Sequence, residues 1–154
     1  MKRSLFALAM AALPAIAAAQ QNFTFTDEVR LVCPAVSDQQ NSGTCWCFSS
    51  TSFMESEMMF FGNENPPNIS EMFIVRQNYI DRADKHVMLH GKMNFGQGSY
   101  FLDNFIIARG HGLVPESAMP NKKEGEFRIS HSSLADRLAQ FIDSVADDSR
   151  NSVN

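Results

Sequence analysis

A thiol sits in a turn of small residues, Ser42-Gly43-Thr44-Cys45-Trp46, with Gln39 six positions before the cysteine. A thiol that attacks a peptide carbonyl must be present as thiolate and needs donors for the oxyanion that develops. A helix beginning at Cys45 meets both needs, because its N-terminus carries free N–H groups and a partial positive charge. Gln39 brings a side-chain amide to the same turn. Such a site also requires a general base. Four histidines are candidates: His86, His90, His111 and His131.

The elements that position the thiol are legible from punctuation and period. Residues 38–44 are small and polar and read as a loop. Residues 45–61 hold no Gly or Pro, and Gly62 closes the run, which predicts a helix. Apolar residues on several of its sides, with Ser49, Ser50, Thr51 and Ser52 between them, predict a central buried helix. Pro66-Pro67 marks a loop. Ser70 is an N-cap for a second helix reaching to about Leu89, with Met72, Val75, Tyr79, Ala83 and Val87 on its inner face. The stretch 91–98 is glycine-rich and aperiodic. A third helix is expected over 99–109, with Phe101, Leu102, Phe105, Ile106 and Ala108 inward and Gly110 as C-cap. Residues 113–115 read as extended, and 121–130 as a charged loop. A final amphipathic helix is expected over 132–145, with Leu134, Leu138, Phe141, Ile142 and Val145 on its stripe. Beyond it, 147–154 is polar and expected to fray. Upstream, Phe23-Thr24-Phe25-Thr26 alternates as a short strand does.

Composition sets bounds. The chain has 154 residues, a hydrophobic fraction of 44% and a net charge of −4. That suits one globular domain or part of a larger one. It gives no sign of a nucleic-acid partner, which would favour a basic surface. Nine Met and thirteen Phe point to a soft aromatic core. Lys2 and Arg3, the apolar run 5–19 and Ala17-Ala18-Ala19 read as a secretory signal with cleavage before Gln20. The run is too short for a membrane anchor, since spanning a bilayer takes roughly 20 apolar residues. The product is therefore expected to be exported, periplasmic or extracellular, with no stable membrane anchor after cleavage. Export implies an oxidising compartment. Cys33, Cys45 and Cys47 are an odd set, so one thiol stays over. A Cys33–Cys47 bridge is compatible with the sequence but not demanded by it. No cluster has metal-ligand spacing, so neither metal nor cofactor is expected.

Gln39, then Ser42 to Ser49, and Glu55 on the same helix resemble the nucleophile helix of papain-like cysteine peptidases. Asn68-Ile69-Ser70-Glu71 is similar to the segment that opens the family's second helix. Gly96-Gln97-Gly98-Ser99-Tyr100 resembles the glycine-rich turn along its substrate groove, and residues 110–115 resemble the stretch after the next helix. The order agrees over about residues 35–120, nearly all of the family's helical lobe. The resemblance implies an α+β papain-like fold of which this chain is mainly the helical lobe. It implies Cys45 as nucleophile and Gln39 as oxyanion donor. It also implies Gly96 and Gly98 as contacts to substrate backbone, with Trp46 beside the site as packing and shield. Cys47 is expected to be a small core residue.

Two departures carry information. Secreted members commonly have a cysteine where Ser42 stands and a partner just before the glycine pair, whereas residues 93–98 hold none. This is similar to the bleomycin hydrolase and aminopeptidase C branch, which trims peptides from the N-terminus and forms homo-oligomers when complete. The family's histidine and its orienting asparagine lie about 130–150 residues after the cysteine in papain itself. That interval ends beyond residue 154, so the β-rich lobe carrying them is expected outside this chain. The four histidines are expected in surface or capping roles. The organisation then reads as a signal over 1–19, a helical lobe with the nucleophile helix over 20–120, and over 121–154 a charged loop and helix opening an insertion. The expected activity is peptide hydrolysis through a thiolate acyl-enzyme, with peptide as substrate. The alternative is an inactive lone lobe that binds peptides or is a truncated product. A redox role ranks last, for want of a Cys-x-x-Cys.

Overall fold

The computed structural model describes residues 24–122, 125 and 128–151. The signal stretch, Phe23 and the last three residues lie outside them. The chain divides into two compact units, residues 1–30 and 31–154. In the first, residues 24–30 are irregular and exposed. The strand expected over 23–26 does not form in its described part: residues 24–26 are irregular.

The second unit contains four helices among the described residues: α1 (Cys45–Phe60), α2 (Glu71–Met88), α3 (Phe101–His111) and α4 (Ser132–Asn151). α2 packs against each of the other three, and α1 also packs on α3. The expected boundaries of α1 and α2 hold. α1 ends at Phe60 with Phe61 as its C-cap, and Gly62 follows at φ +99, a conformation that costs a glycine little. Ser70 caps α2, its Oγ accepting from the Phe73 N–H at 3.0 Å while donating to the Met119 carbonyl at 2.6 Å. The extended residues 113–115 run beside the entry to α2. They form one antiparallel bridge, Ile69 to Pro115, flanked by bonds from Ser70 N–H to the Val114 carbonyl and from Glu116 N–H to the Asn68 carbonyl.

α3 differs from expectation. It continues through Gly110 and ends at Gly112, whose φ of +78 turns the chain. Its inner face is Asn104 and Ile107, both fully buried, while Phe101, Leu102 and Ile106 are exposed. The reason is local. α1 offers α3 the small Ser50 at this crossing, and the Asn104 amide fits against it, donating to Ser50 Oγ at 2.7 Å and to the Cys47 carbonyl at 3.4 Å. α4 also differs. It runs six residues past the expected end, to Asn151, so at least residues 147–151 are helical rather than frayed. Its buried line is Ala135 and Ala146, with Leu138, Ile142 and Val145 half-buried. Leu134 and Phe141 are exposed.

The core gathers Trp46, Cys47 and Phe48 of α1, Met72, Ile74, Val75 and Tyr79 of α2, and Ile107 of α3, with Ile69 and Ile129 from the loops. α1 is thus buried on one side only. Cys45, Ser49, Ser52, Phe53 and Phe60 are exposed along it. Here the expectation of a central buried helix is corrected: α2 is the helix that packs on the other three. No helix among the described residues is long and apolar enough to cross a membrane.

Candidate active site

The loop before α1 is built from its own side chains. Asp38 accepts the Gln40 N–H at 2.8 Å, and Gln40 takes the left-handed conformation at φ +53. Its Oε1 receives the Ile129 N–H at 2.7 Å, while the Asn41 N–H donates to the Ile129 carbonyl at 3.1 Å. The loop is therefore held to the segment that precedes α4. Within it, Gln39 and Ser42 close a ring. Gln39 Nε2 donates to the Ser42 carbonyl at 2.7 Å, and Ser42 Oγ donates to the Gln39 carbonyl at 2.7 Å. One of the two amide protons of Gln39 is so engaged, and an amide nitrogen carries two.

Thr44 turns its hydroxyl to Ser42 Oγ, 2.5 Å away, and does not cap the helix. The first turn of α1 thus has no side-chain cap; the Cys47 N–H turns back to the Thr44 carbonyl at 2.9 Å, which leaves the N–H groups of Cys45 and Trp46 for an anionic ligand. Cys45 is the first helical residue and is exposed. The helix N-terminus puts partial positive charge beside its thiol. Cys47, two positions on, is fully buried, with its thiol directed at the Glu71 carbonyl at 3.5 Å. Burial, with the Glu71 charge adding, pushes the Cys47 thiol far above its ordinary range. One thiol faces water and the other is an inert core group. All three cysteines are free, including the exposed Cys33, so the Cys33–Cys47 bridge does not form.

Trp46 is buried, and its indole N–H donates to the Gln97 carbonyl at 3.1 Å, so it packs rather than standing open to a ligand. Gly96 and Gly98 lie in the irregular stretch before α3. Neither has positive φ, and a Cβ on either would meet no atom within 4 Å. Their carbonyls face the Arg82 guanidinium, which also donates to the Asn94 carbonyl. Gln97 between them carries a signal that sequence reading passed over. Its Oε1 receives the Gly43 N–H at 2.7 Å.

Two of the histidines, His86 and His111, are engaged elsewhere. Of the surface or capping role expected of His86, the surface part is corrected: it lies in the last turn of α2 and is 4% exposed, with Nδ1 2.5 Å from the Met93 carbonyl and Nε2 2.8 Å from Asp143 Oδ1, joining α2 to α4. Its place one face-repeat after Tyr79 on α2 was the available clue. His111 is exposed and pairs with Asp81 at 3.3 Å.

Comparison with known families decides the family. The family model described as "Papain family cysteine protease" matches residues 20–148. The chain belongs to the papain family of cysteine proteases. The match takes in the loop, α1 to α3 and most of α4, so this papain-family chain has a papain-like fold represented by helices. No curated protein matches it. Family membership supports peptide hydrolysis by a cysteine and peptide as substrate.

Two carboxylates brace the papain-family helix from behind. Glu55 is buried and accepts the Ile69 N–H at 2.7 Å. Glu71 is buried, accepts from Asn121 Nδ2 at 2.8 Å and has Thr51 Oγ1 at 3.5 Å. Burial pushes both above the ordinary carboxylate value of 4.5, and the Glu55 charge adds to the rise at Glu71. The folded state therefore binds more protons than the unfolded state between that value and the raised ones. Stability is highest below this window and falls as pH climbs through it. The melting temperature is expected to be higher at pH 5 than at pH 7. Glu71→Gln is expected to flatten that difference. A thermal melt series showing the opposite slope, unchanged in the variant, would refute the assignment.

Proposed function

We propose that Cys45 is the nucleophile of an exported cysteine peptidase and that Gln39 is an oxyanion donor. The observation that carries this reading is an exposed thiol at the uncapped N-terminus of α1, in a turn closed by Gln39. The thiolate would attack the peptide carbonyl. The Cys45 N–H and the second amide proton of Gln39 would hold the oxyanion. The leaving amine would take its proton from a histidine that is none of the four in residues 1–154, oriented by an asparagine on a β-rich lobe. Ser42 in the turn, with no cysteine over 93–98, supports the aminopeptidase C and bleomycin hydrolase branch, hence trimming from the N-terminus. In this reading residues 1–19 are the export signal, 20–120 the helical lobe, and 121–154 the opening of an insertion.

The test is site-resolved labelling. A leucyl chloromethyl ketone is expected to modify Cys45 before Cys33 and to leave Cys47 untouched, as read by peptide mass spectrometry. Labelling of Cys33 and Cys45 at equal rates would remove the case for an activated thiol.

A further inference from the structure

The exposed thiol is bracketed by one residue that the proposed mechanism does not use. Gln97 takes the Gly43 N–H on its side-chain oxygen at 2.7 Å and the Trp46 indole N–H on its backbone oxygen at 3.1 Å. These donors stand two residues before Cys45 and one residue after it. The approach is close: a Cβ on Gly43 would lie 3.0 Å from the Cβ of Gln97, so a larger residue at 43 would push the two segments apart. Gly43 does not have positive φ; its lack of a side chain serves clearance. Gln97 is itself held. Arg82 of α2 donates to the carbonyls of Asn94, Gly96 and Gly98, gripping the turn on both sides of position 97. A continuous set of hydrogen bonds thus runs from the central helix to the turn that carries the thiol.

We propose that Gln97 is a positioning residue for Cys45, clamping the chain on both sides of the thiol, and that Arg82 anchors the clamp. The inference rests on Cys45 being the nucleophile. Without the clamp, the 42–44 turn loses its only side-chain tie to the glycine-rich stretch among the described residues. The first turn of α1 then frays, and the thiol leaves the positive end of the helix.

The experiment is alkylation of the full chain by iodoacetamide over a pH series, resolved by site, with exposed Cys33 as internal reference. Wild type is expected to give a Cys45-to-Cys33 rate ratio above one at neutral pH. Gln97→Met, which keeps length and removes the acceptor, is expected to lower the ratio about threefold to tenfold, the span one hydrogen bond's net worth covers. It should also move the half-plateau of the Cys45 pH profile upward while that of Cys33 stays. Arg82→Met is expected to act in the same direction, and the double variant to lose no more than the stronger single variant, as coupled positions do. If Gln97→Met loses helical circular dichroism, Arg82→Met, which leaves Gln97 in place, carries the test. A raised wild-type ratio that survives both substitutions, or strictly additive losses, overturns the clamp alone. A wild-type ratio of one overturns the nucleophile assignment and the clamp with it.

Discussion

Residues 1–154 by themselves are expected to release no product from an aminoacyl fluorogenic substrate above the buffer blank, although Cys45 accepts a covalent label. The expectation follows from proton transfer. Expulsion of the amine needs an acid beside the leaving nitrogen, and a positioned base is what makes the thiol a sustained nucleophile. His86 is spent between Met93 and Asp143, and His111 faces Asp81. One positioned acid–base group contributes about 10²–10⁴ in rate, and His86 and His111 are held by other partners. Cys45 is then expected to form at most one covalent adduct per chain. Turnover that vanishes in Cys45→Ala would show that a base is present and would reopen the role of the histidines.

The second large effect concerns stability. Asn104→Asp is expected to cost about 3–5 kcal/mol, the penalty for a buried charge without a partner. Asn104 has no exposed surface. Its Nδ2 donates to Ser50 Oγ and the Cys47 carbonyl, and an aspartate would set a carboxylate against those oxygens. Domains are stable by only about 5–15 kcal/mol, so the loss is a large share of the whole. At about 2–4 °C per kcal/mol for a chain of this size, the melting temperature should fall by roughly 6–20 °C. Asn104→Ala, which buries no charge, should fall less. A change under about 1 kcal/mol would mean that the α1–α3 contact does not depend on this amide.

The start of α2 was legible because Ser70 has local chemistry, a hydroxyl three residues before the N–H it accepts. The end of α1 was legible because Gly62 follows it. The inner face of α3 was not. Phe101, Leu102, Phe105 and Ile106 share one side, but Ile107 and Ala108 place apolar groups on the other sides, so hydrophobicity selects no single side. The side that turned inward is set by a partner, Ser50, that is 54 positions from Asn104. Three of those aromatic contacts form a patch instead, Phe53 with Phe101 and Phe105 at ring separations of 5.7 and 6.4 Å, and Phe101 with Phe105 at 5.1 Å. The thiol and Gln39 were visible as a motif because turn and thiol are neighbours in the chain. Gln97 was not, since its meaning depends on Gly43, again 54 positions away. The glycines beside it drew attention, yet the structure asks nothing of their missing side chains.

α1 is made from poor helix formers. Ser, Thr, Cys, Trp and Phe fill most of it, and none ranks high in intrinsic propensity. Its hydroxyls bond back to carbonyls of the preceding turn: Ser50 to Trp46 at 2.6 Å, Thr51 to Cys47 at 2.9 Å and Ser56 to Ser52 at 2.7 Å. Such bonds satisfy buried polar groups but add little to a free helix. A segment of this length and composition does not hold a helix on its own in water. The charged end that favours a thiolate therefore comes into being only when α2 and α3 have closed around it. On the reading that Cys45 is the nucleophile, the unfolded chain carries a cysteine without a helix end beside it, and the thiol's setting is acquired together with tertiary structure.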